Sequence, residues 1–268
     1  MIHKTDIIIE KIKKMPKYKS IDIPVETIQT LIEQASPLSR NSVDLEKRVR
    51  EKLHNITALY LGDVDYKNAI TEFRQVKNNP DALKEFAQTQ LTYHASTEER
   101  HDLTTMYQLL FDRIGSCKSI ADLACGIHPL GLPFMDLPKE TRYYAYDLHK
   151  TRSDFLNIFI TELGFSGGCF HQDILVSPPS IQFDVAFFFK EAHRFEKRQP
   201  GATCALLDGI SAKKIVVSLP RQSLGTNSGL SPIYKKIIYD YAIKRGWSFE
   251  SFAHGNEDFY IICDTALC

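Results

Sequence analysis

The sequence predicts an α/β fold, a mostly parallel seven-stranded sheet that closes on an antiparallel hairpin, preceded by a small all-helical region. Three observations carry this. From Ser116 onward, short apolar strand patterns alternate with helical ones, as in a sheet with helices on both faces. The last two strand candidates are separated only by His254-Gly255-Asn256, a connection short enough to make them an antiparallel pair. Residues 1–92 contain a single glycine, Gly62, and no convincing strand pattern.

The helical region comes first. Asp6 to Lys14 carries Ile7, Ile8 and Ile12 on a narrow stripe and stops at Pro16. Pro24 opens a second helix through Val25, Ile28, Leu31 and Ile32, and Ser42 caps a third with Val43, Leu45, Val49, Leu53 and Ile56 on one face. Asn79-Pro80 is a cap followed by proline at the first helical position, which predicts a helix from Asp81 to Gln90. Ser96 to Glu99 fits a capping box, so a helix is expected from Ser96 or Thr97 to about Ile114. Strands are then expected over 119–124, 142–147, 169–173, 182–189, 213–219, 247–253 and 257–263, with helices over 151–164, 200–209 and 231–245. The division falls at residue 92, giving a helical domain over 1–92 and a sheet domain over 93–268.

Composition narrows the classes. The chain has 268 residues, 43% hydrophobic and 25% charged, with a formal net charge of zero. A strongly basic field is absent, so attraction to nucleic acid must come from a local patch. The best patch is Lys11, Lys13, Lys14, Lys17 and Lys19, with no acid between positions 11 and 21. Lys47, Arg48, Arg50 and Lys52 form a second group diluted by Asp44, Glu46 and Glu51. The six cysteines are scattered without CxxC pairing, so they read as thiols, most of them small core residues, with no zinc signature and no metal site. No signal peptide and no long apolar run are present, which predicts a cytoplasmic protein away from the membrane.

Chemistry concentrates at the expected carboxyl ends of the strands. Ile120 to Leu130 runs from an apolar strand into a turn at Gly126, which lets a ligand approach the backbone closely. Gly-x-Gly-x-x-Gly is missing, which disfavours a dinucleotide site. Seven strands with a final antiparallel hairpin resemble the class I S-adenosylmethionine (SAM)-dependent methyltransferase fold. Asp147 ends the second strand, where an acid can accept both ribose hydroxyls. His171-Gln172-Asp173 ends the third, where an amide or carboxylate can meet an adenine amine. His94, Ser96 and Arg100 crowd the start of the expected 96–114 helix, and an arginine there can pair with a carboxylate in two-pronged fashion.

The end of the fourth strand reads Phe187-Phe188-Phe189-Lys190-Glu191-Ala192-His193. It lacks the Asn/Asp-Pro-Pro-Tyr/Phe segment used on exocyclic amines, and no Pro-Cys pair offers a nucleophile for pyrimidine C5. Acceptors needing no strong base remain, either a ring nitrogen with a free lone pair or an oxygen or nitrogen of a small molecule. Guanine N7 carries no proton at neutral pH, so an enzyme methylating it has chiefly to align the reacting atoms and exclude water. His193 is the alternative, as a general base. The loop from Ser218 to Gly229 is polar and too long for a mere connector.

Several of these segments together resemble the Arm/Rmt group of aminoglycoside-resistance 16S rRNA guanine-N7 methyltransferases. Leu53-His54-Asn55-Ile56-Thr57 with Tyr60 is similar to the group's Leu-His-x-Ile/Val segment, and His94 to Arg100 is similar to its His-x-Ser-Thr-x-Glu-Arg. Asp122 to Leu130 resembles Asp-x-x-Cys-Gly-x-Asn-Pro-Leu, and Phe189-Lys190, Val217 to Pro220 and Ser223 to Gly225 match later blocks. The resemblance implies SAM as cofactor, with Tyr60, His94, Ala95, Ser96, Arg100, Ala124, Asp147, Gln172, Asp173 and Phe188 lining its site beside Gly126. It implies that Lys190 and the stretch Ser218 to Ser223, with Ser218, Pro220 and Ser223 foremost, face a flipped guanine. It also implies the 30S subunit as partner, and the charge pattern then makes the N-terminal lysines the expected phosphate grip of a protein expected to be a monomer. Three positions depart from the group's pattern: His128 stands for Asn, Glu191-Ala192-His193 for a Leu-rich stretch, and Thr226 to Gly229 lacks basic residues. The competing readings are a methyltransferase for another RNA site or a small molecule, and a catalytically silent rRNA-binding homologue.

Overall fold

A computed structural model describes residues 2–19, 21–57, 65–94, 97–221 and 231–266. Its sheet contains β1 (Ser119–Leu123), β2 (Arg142–Asp147), β3 (Ser166–His171), β4 (Gln182–Phe189), β5 (Ser211–Pro220), β6 (Ser248–His254) and β7 (Glu257–Cys263), in the spatial order β3-β2-β1-β4-β5-β7-β6. Strands β1 to β5 pair in parallel, β7 runs antiparallel to β5, and β6 antiparallel to β7. The chain winds outward from β1 to β3 and then crosses back to β4. The order therefore reverses between β1 and β4, and a ligand crevice opens at the carboxyl ends of strands at such a point.

The helices are α1 (Ile2–Lys13), α2 (Pro16–Lys19), α3 (Val25–Ala35), α4 (Ser42–Thr57), α5 (Tyr66–Val76), α6 (Pro80–Leu91), α7 (Leu103–Ile114), α8 (Lys150–Glu162), α9 (Ala192–Arg198), α10 (Ala202–Gly209) and α11 (Ser231–Arg245). Apolar residues fill both faces of the sheet, as a central parallel sheet requires. Val185, Phe187 and Phe189 of β4 join one cluster with α5, α6 and α7, whereas Ala186 and Phe188 join the other with α9 and α10. Truncating a buried aromatic such as Phe187 to alanine costs about 3–5 kcal/mol. A third cluster holds α1, α3 and α4 together through Ile8, Ile12, Ile28, Leu31, Val49 and Leu53. This third bundle is tied to the sheet by polar bonds: Thr27 Oγ1 donates to Asp173 Oδ2 at 2.9 Å, and Lys150 N donates to the Ile21 carbonyl at 2.9 Å.

Helices α2, α5 and α9 have no counterpart among the expected elements, and α1 begins at Ile2, ahead of the expected Asp6. Two further differences have a clear physical reason. The helix expected from Ser96 or Thr97 begins at Leu103, capped by Asp102, whose carboxylate accepts from Thr105 N. Arg100 is drawn inward to a buried acid, and Thr97 Oγ1 bonds back to the Leu91 carbonyl at 2.6 Å, so tertiary contacts override the local capping signal. Strand β3 begins three residues earlier than expected, at Ser166. Gly167, with φ of 110°, passes so close to the Tyr143 carbonyl that any Cβ would collide with it. Cys117, Cys125, Cys169 and Cys204 are free thiols, but Cys263 is disulfide-bonded, which corrects the reading of all six cysteines as thiols.

Candidate active site

The crevice begins where β1 ends. Ala124 and Gly126 both take left-handed backbone, with φ of 51° and 54°. For alanine this conformation costs of order 1–3 kcal/mol and persists only where surroundings enforce it. Cys125 N donates to the Tyr146 carbonyl at 2.9 Å, and Gly126 N donates to Asp147 Oδ2 at 3.0 Å, so the turn is pinned to the end of β2. Asp147 is buried, and its other oxygen accepts from His149 N at 2.7 Å, with Arg152 Nη1 at 3.4 Å from Oδ2. The acid expected to meet ribose thus stands at the crevice and also fastens its glycine turn.

The crevice floor is a closed polar network. His128 Nδ1 lies 2.7 Å from Asp122 Oδ2, the Tyr107 hydroxyl 2.8 Å from His128 Nε2, and the Tyr143 hydroxyl donates to the same Asp122 oxygen at 2.7 Å. A Cβ at Gly131 would strike the Tyr107 hydroxyl, so glycine there admits the contact. Arg100, Asp122, Ala124, Cys125, His128 and Phe189 together line a small cleft.

Beside it lies a second cleft, lined by Glu99, Arg100, Met106, Lys190, His254 and Glu257. Arg100 forks onto Glu257, Nε to Oε2 at 2.9 Å and Nη2 to Oε1 at 2.7 Å, and its guanidinium lies over Phe189 at 5.2 Å. The Ser218 hydroxyl donates to Glu257, and Lys190 Nζ lies 3.6 Å from Glu257 and 3.7 Å from Glu99. Burial alone would raise the Glu257 carboxyl, but Arg100, Lys190 and Ser218 hold it down at about 2. Burial lowers the Lys190 amine from its ordinary value, an effect that Glu257 and Glu99 oppose.

The structure brings Arg100, Ala124, Gly126, Asp147, Lys190 and Ser218 to the carboxyl ends of β1, β2, β4 and β5, or against them. His94 is buried just before the turn that carries Arg100. Pro220 ends β5 opposite Glu257. Tyr60, Ala95, Ser96, Ser223 and the stretch Thr226 to Gly229 lie outside the described residues.

Two expected cofactor residues are placed differently. Phe188 points to the far face of the sheet, fully buried against Phe195 at 5.0 Å, and Phe189 lines the cleft instead. The one-residue offset follows from the period-two alternation of a strand. Asp173 is spent on structure: its carboxylate accepts from Thr27 Oγ1, Leu175 N and both Arg198 Nη atoms. Gln172 donates to the Ser177 carbonyl at 2.5 Å. His193, the alternative base, is pushed down to about 4 by burial and by Arg194 and Lys197. Burial likewise pushes Glu191 up to about 7, with Asp147 adding to the rise and Arg194, 2.7 Å away, opposing it.

Glu257 is the residue that reading the sequence misses. It opens an apolar strand 157 positions after Arg100, and no local spacing joins the two. The N-terminal lysines hold a second surprise. Lys11 meets Glu46 at 3.1 Å, Lys13 meets Asp22 at 3.3 Å, Lys14 meets Glu10 at 3.2 Å, and Lys17 Nζ lies 2.6 Å from His54 Nδ1. Among the described residues no group of three or more His, Cys, Asp or Glu side chains is placed to hold a metal ion, and no helix is long and apolar enough to cross a membrane.

Comparison with known proteins places this geometry. A family profile described as "Ribosomal RNA methyltransferase (FmrO)" matches residues 14–262. A protein of Frankia casuarinae named 16S rRNA (guanine(1405)-N(7))-methyltransferase is 30% identical over 245 residues, 88% of this chain and 86% of its own. A protein of the same name from Micromonospora rosea is 28% identical over 261 residues, 94% of each chain. The solved structure of the 16S rRNA methyltransferase RmtF in complex with S-adenosyl-L-homocysteine superposes with a TM-score of 0.76 at 23% identity, over 99% of this chain and 100% of that one. The 16S rRNA methylase RmtB superposes with a TM-score of 0.76 at 20% identity, over 97% and 98%. The two structures share the fold: the seven-stranded sheet with antiparallel last strands and the helices before it.

Proposed function

The chain belongs to the ribosomal RNA methyltransferase (FmrO) family, and from that premise we propose that it methylates N7 of a guanine in the decoding A site of 16S rRNA within the 30S subunit, with SAM as methyl donor. The observation that carries this reading is the family match across residues 14–262, which spans the N-terminal helices from α2 onward and the sheet end that bears the crevice. Aminoglycoside resistance of the host is the expected consequence.

The crevice suits the cofactor. Two left-handed residues, Ala124 and Gly126, keep the backbone of the turn close to any ligand, and Asp147 stands at the strand end where a ribose is read. Bound there, SAM supplies a methyl group on a sulfonium sulfur. Asp147 accepts from the ribose hydroxyls, Gln172 faces the adenine end, and the guanidinium edge of Arg100 not taken by Glu257 meets the amino-acid carboxylate. His94, Tyr60, Ala95 and Ser96 complete the set of residues proposed to contact the cofactor. Lys190, Ser218, Pro220 and Ser223 hold the guanine. No group need remove a proton, because N7 carries none. The protein's task is alignment and exclusion of water, and a His193 held neutral by burial is not required as a base.

Residues 1–92 dock on folded rRNA and 93–268 carry the chemistry. The apolar clusters favour α1, α3 and α4 as the docking unit, since α5 and α6 pack with the sheet. The protein works as a monomer in the cytoplasm. The test is transfer of tritiated methyl from SAM to 30S subunits, free 16S rRNA and 50S subunits. Label is expected in 30S subunits, and label confined to another RNA or to small molecules rejects the reading.

A further inference from the structure

Both clefts of the site share one wall, and that wall is built on a single carboxylate. Glu257 is 3% exposed and stands at the first position of β7, opposite Pro220 at the last position of β5. Its Oε1 accepts from Arg100 Nη2 and from the Ser218 hydroxyl, and its Oε2 accepts from Arg100 Nε. Lys190 Nζ lies 3.6 Å from Oε2. Two buried cations therefore share a carboxylate that both of them face directly.

The contact with Lys190 is double. Ser218 Oγ donates to Glu257 and at the same time accepts from Lys190 N at 3.1 Å. Lys190 has left-handed backbone, with φ of 59°, a conformation that non-glycine residues hold only when surroundings impose it. Glu257 thus reaches the Lys190 ammonium by charge and its backbone through Ser218. On the other side, the two-pronged bond fixes the plane of the Arg100 guanidinium, because a fork admits one orientation.

We propose that Glu257 is a positioning residue for methyl transfer, setting Arg100 on the cofactor side and Lys190 on the target side from one buried carboxylate. The proposal rests on the reading of those two sides given above. It makes a specific statement about kinetics. A carboxylate that merely supports the fold, once removed, lowers the fraction of active protein and leaves the affinity for the cofactor unchanged in what remains. A carboxylate that positions both groups, once removed, weakens cofactor binding and slows turnover together.

The experiment compares full-length Glu257→Gln and Glu257→Asp with Arg100→Lys and Lys190→Met. S-adenosylhomocysteine affinity is measured by calorimetry, and KM for SAM and kcat are measured on 30S subunits. For Glu257→Gln, we expect about a tenfold rise in both Kd and KM and about a tenfold fall in kcat, the scale of one charge-assisted hydrogen bond on each side. Arg100→Lys weighs on Kd and Lys190→Met weighs on kcat, each alone reproducing one half of the effect. Glu257→Asp keeps the charge on a shorter stem and shifts both quantities in the same directions by less. A folded Glu257→Gln with the parental Kd overturns the proposal. If that variant does not fold, Glu257→Asp decides, and parental values of both Kd and kcat overturn it. Should the parental chain bind S-adenosylhomocysteine and leave 30S subunits unlabelled, the target reading fails, while the calorimetric arm still judges Glu257 and Arg100.

Discussion

The N-terminal lysines and the Arg100–Glu257–Lys190 network use the same chemistry to opposite ends. In the first region Lys11 and Lys14 pair with Glu46 and Glu10 while staying 58% and 78% exposed. Such pairs contribute between nothing and about 1 kcal/mol, are screened by salt, and exchange partners freely. A phosphate can take the place of the carboxylate at little cost. In the second region Arg100 and Glu257 are each 4% exposed at the side chain. There a partner cannot be exchanged for water, so the pair fixes geometry. Exposure, more than the identity of the charges, decides whether an ion pair is a grip for RNA or a frame for chemistry.

The largest expected effect breaks the frame. Arg100→Ala removes both prongs of the fork and leaves buried Glu257 with Lys190 alone, 3.6 Å away, as its cation. Losing one partner of a buried pair costs about 3–5 kcal/mol. Urea unfolding reads this directly, and a change below about 1 kcal/mol would place the network on a par with surface pairs.

A smaller effect, and one of opposite sign, belongs to Glu191, which is buried without adequate compensation. Its carboxyl sits at about 7 in the folded protein against an ordinary 4.5. The folded state therefore holds this proton over a pH range in which the unfolded state has released it. The stability that follows is intact below 4.5, declines as pH rises, and is gone above 7. At ~1.4 kcal/mol per unit the swing is about 3 kcal/mol. Glu191→Gln should be more stable than the parent at pH 8 and show little of that advantage at pH 5. A constant difference between the two pH values would refute the assignment.

The smallest effect on stability is expected at the grip. Lys13, Lys14 and Lys17 changed together to Glu should shift unfolding by no more than about 1 kcal/mol in total. The same change should weaken 30S binding and flatten its salt dependence, because fewer phosphates are neutralised. Calorimetry should find S-adenosylhomocysteine affinity unchanged. Unaltered 30S binding would move the grip elsewhere, with Lys19, Arg40 and Arg50 as the next exposed cations to change.

Those two regions also mark how far the sequence could be read. β2, β4 and β7 fall where their apolar patterns put them, because a strand buried on both faces writes its own signature. The turn at Gly126 and the acid at Asp147 were legible for the same reason, being fixed by position at strand ends. Phe188 and Phe189 were not separable, since which member of an apolar run faces the crevice depends on register, and register is set by neighbouring strands. Asp173 reads as a ligand residue until Thr27 and Arg198 are brought against it by folding. The lysine group likewise looked uncompensated because Glu46 lies 35 positions away. Short α9 (Ala192–Arg198), which carries His193, left too short a period to find.

The central claim is that the two clefts serve methyl transfer to guanine N7 in 16S rRNA, and the position of the methyl group tests it most directly. An N7-methylated guanine loses its base on borohydride reduction, and aniline then cuts the strand there. 30S subunits treated with the protein and SAM would be reduced, cleaved and mapped by primer extension. The account predicts one new stop in the decoding A site of 16S rRNA, dependent on SAM and lost in Asp147→Ala. Methyl label incorporated into 16S rRNA without any SAM-dependent cleavage would contradict it, because the methyl would then sit on an atom other than N7.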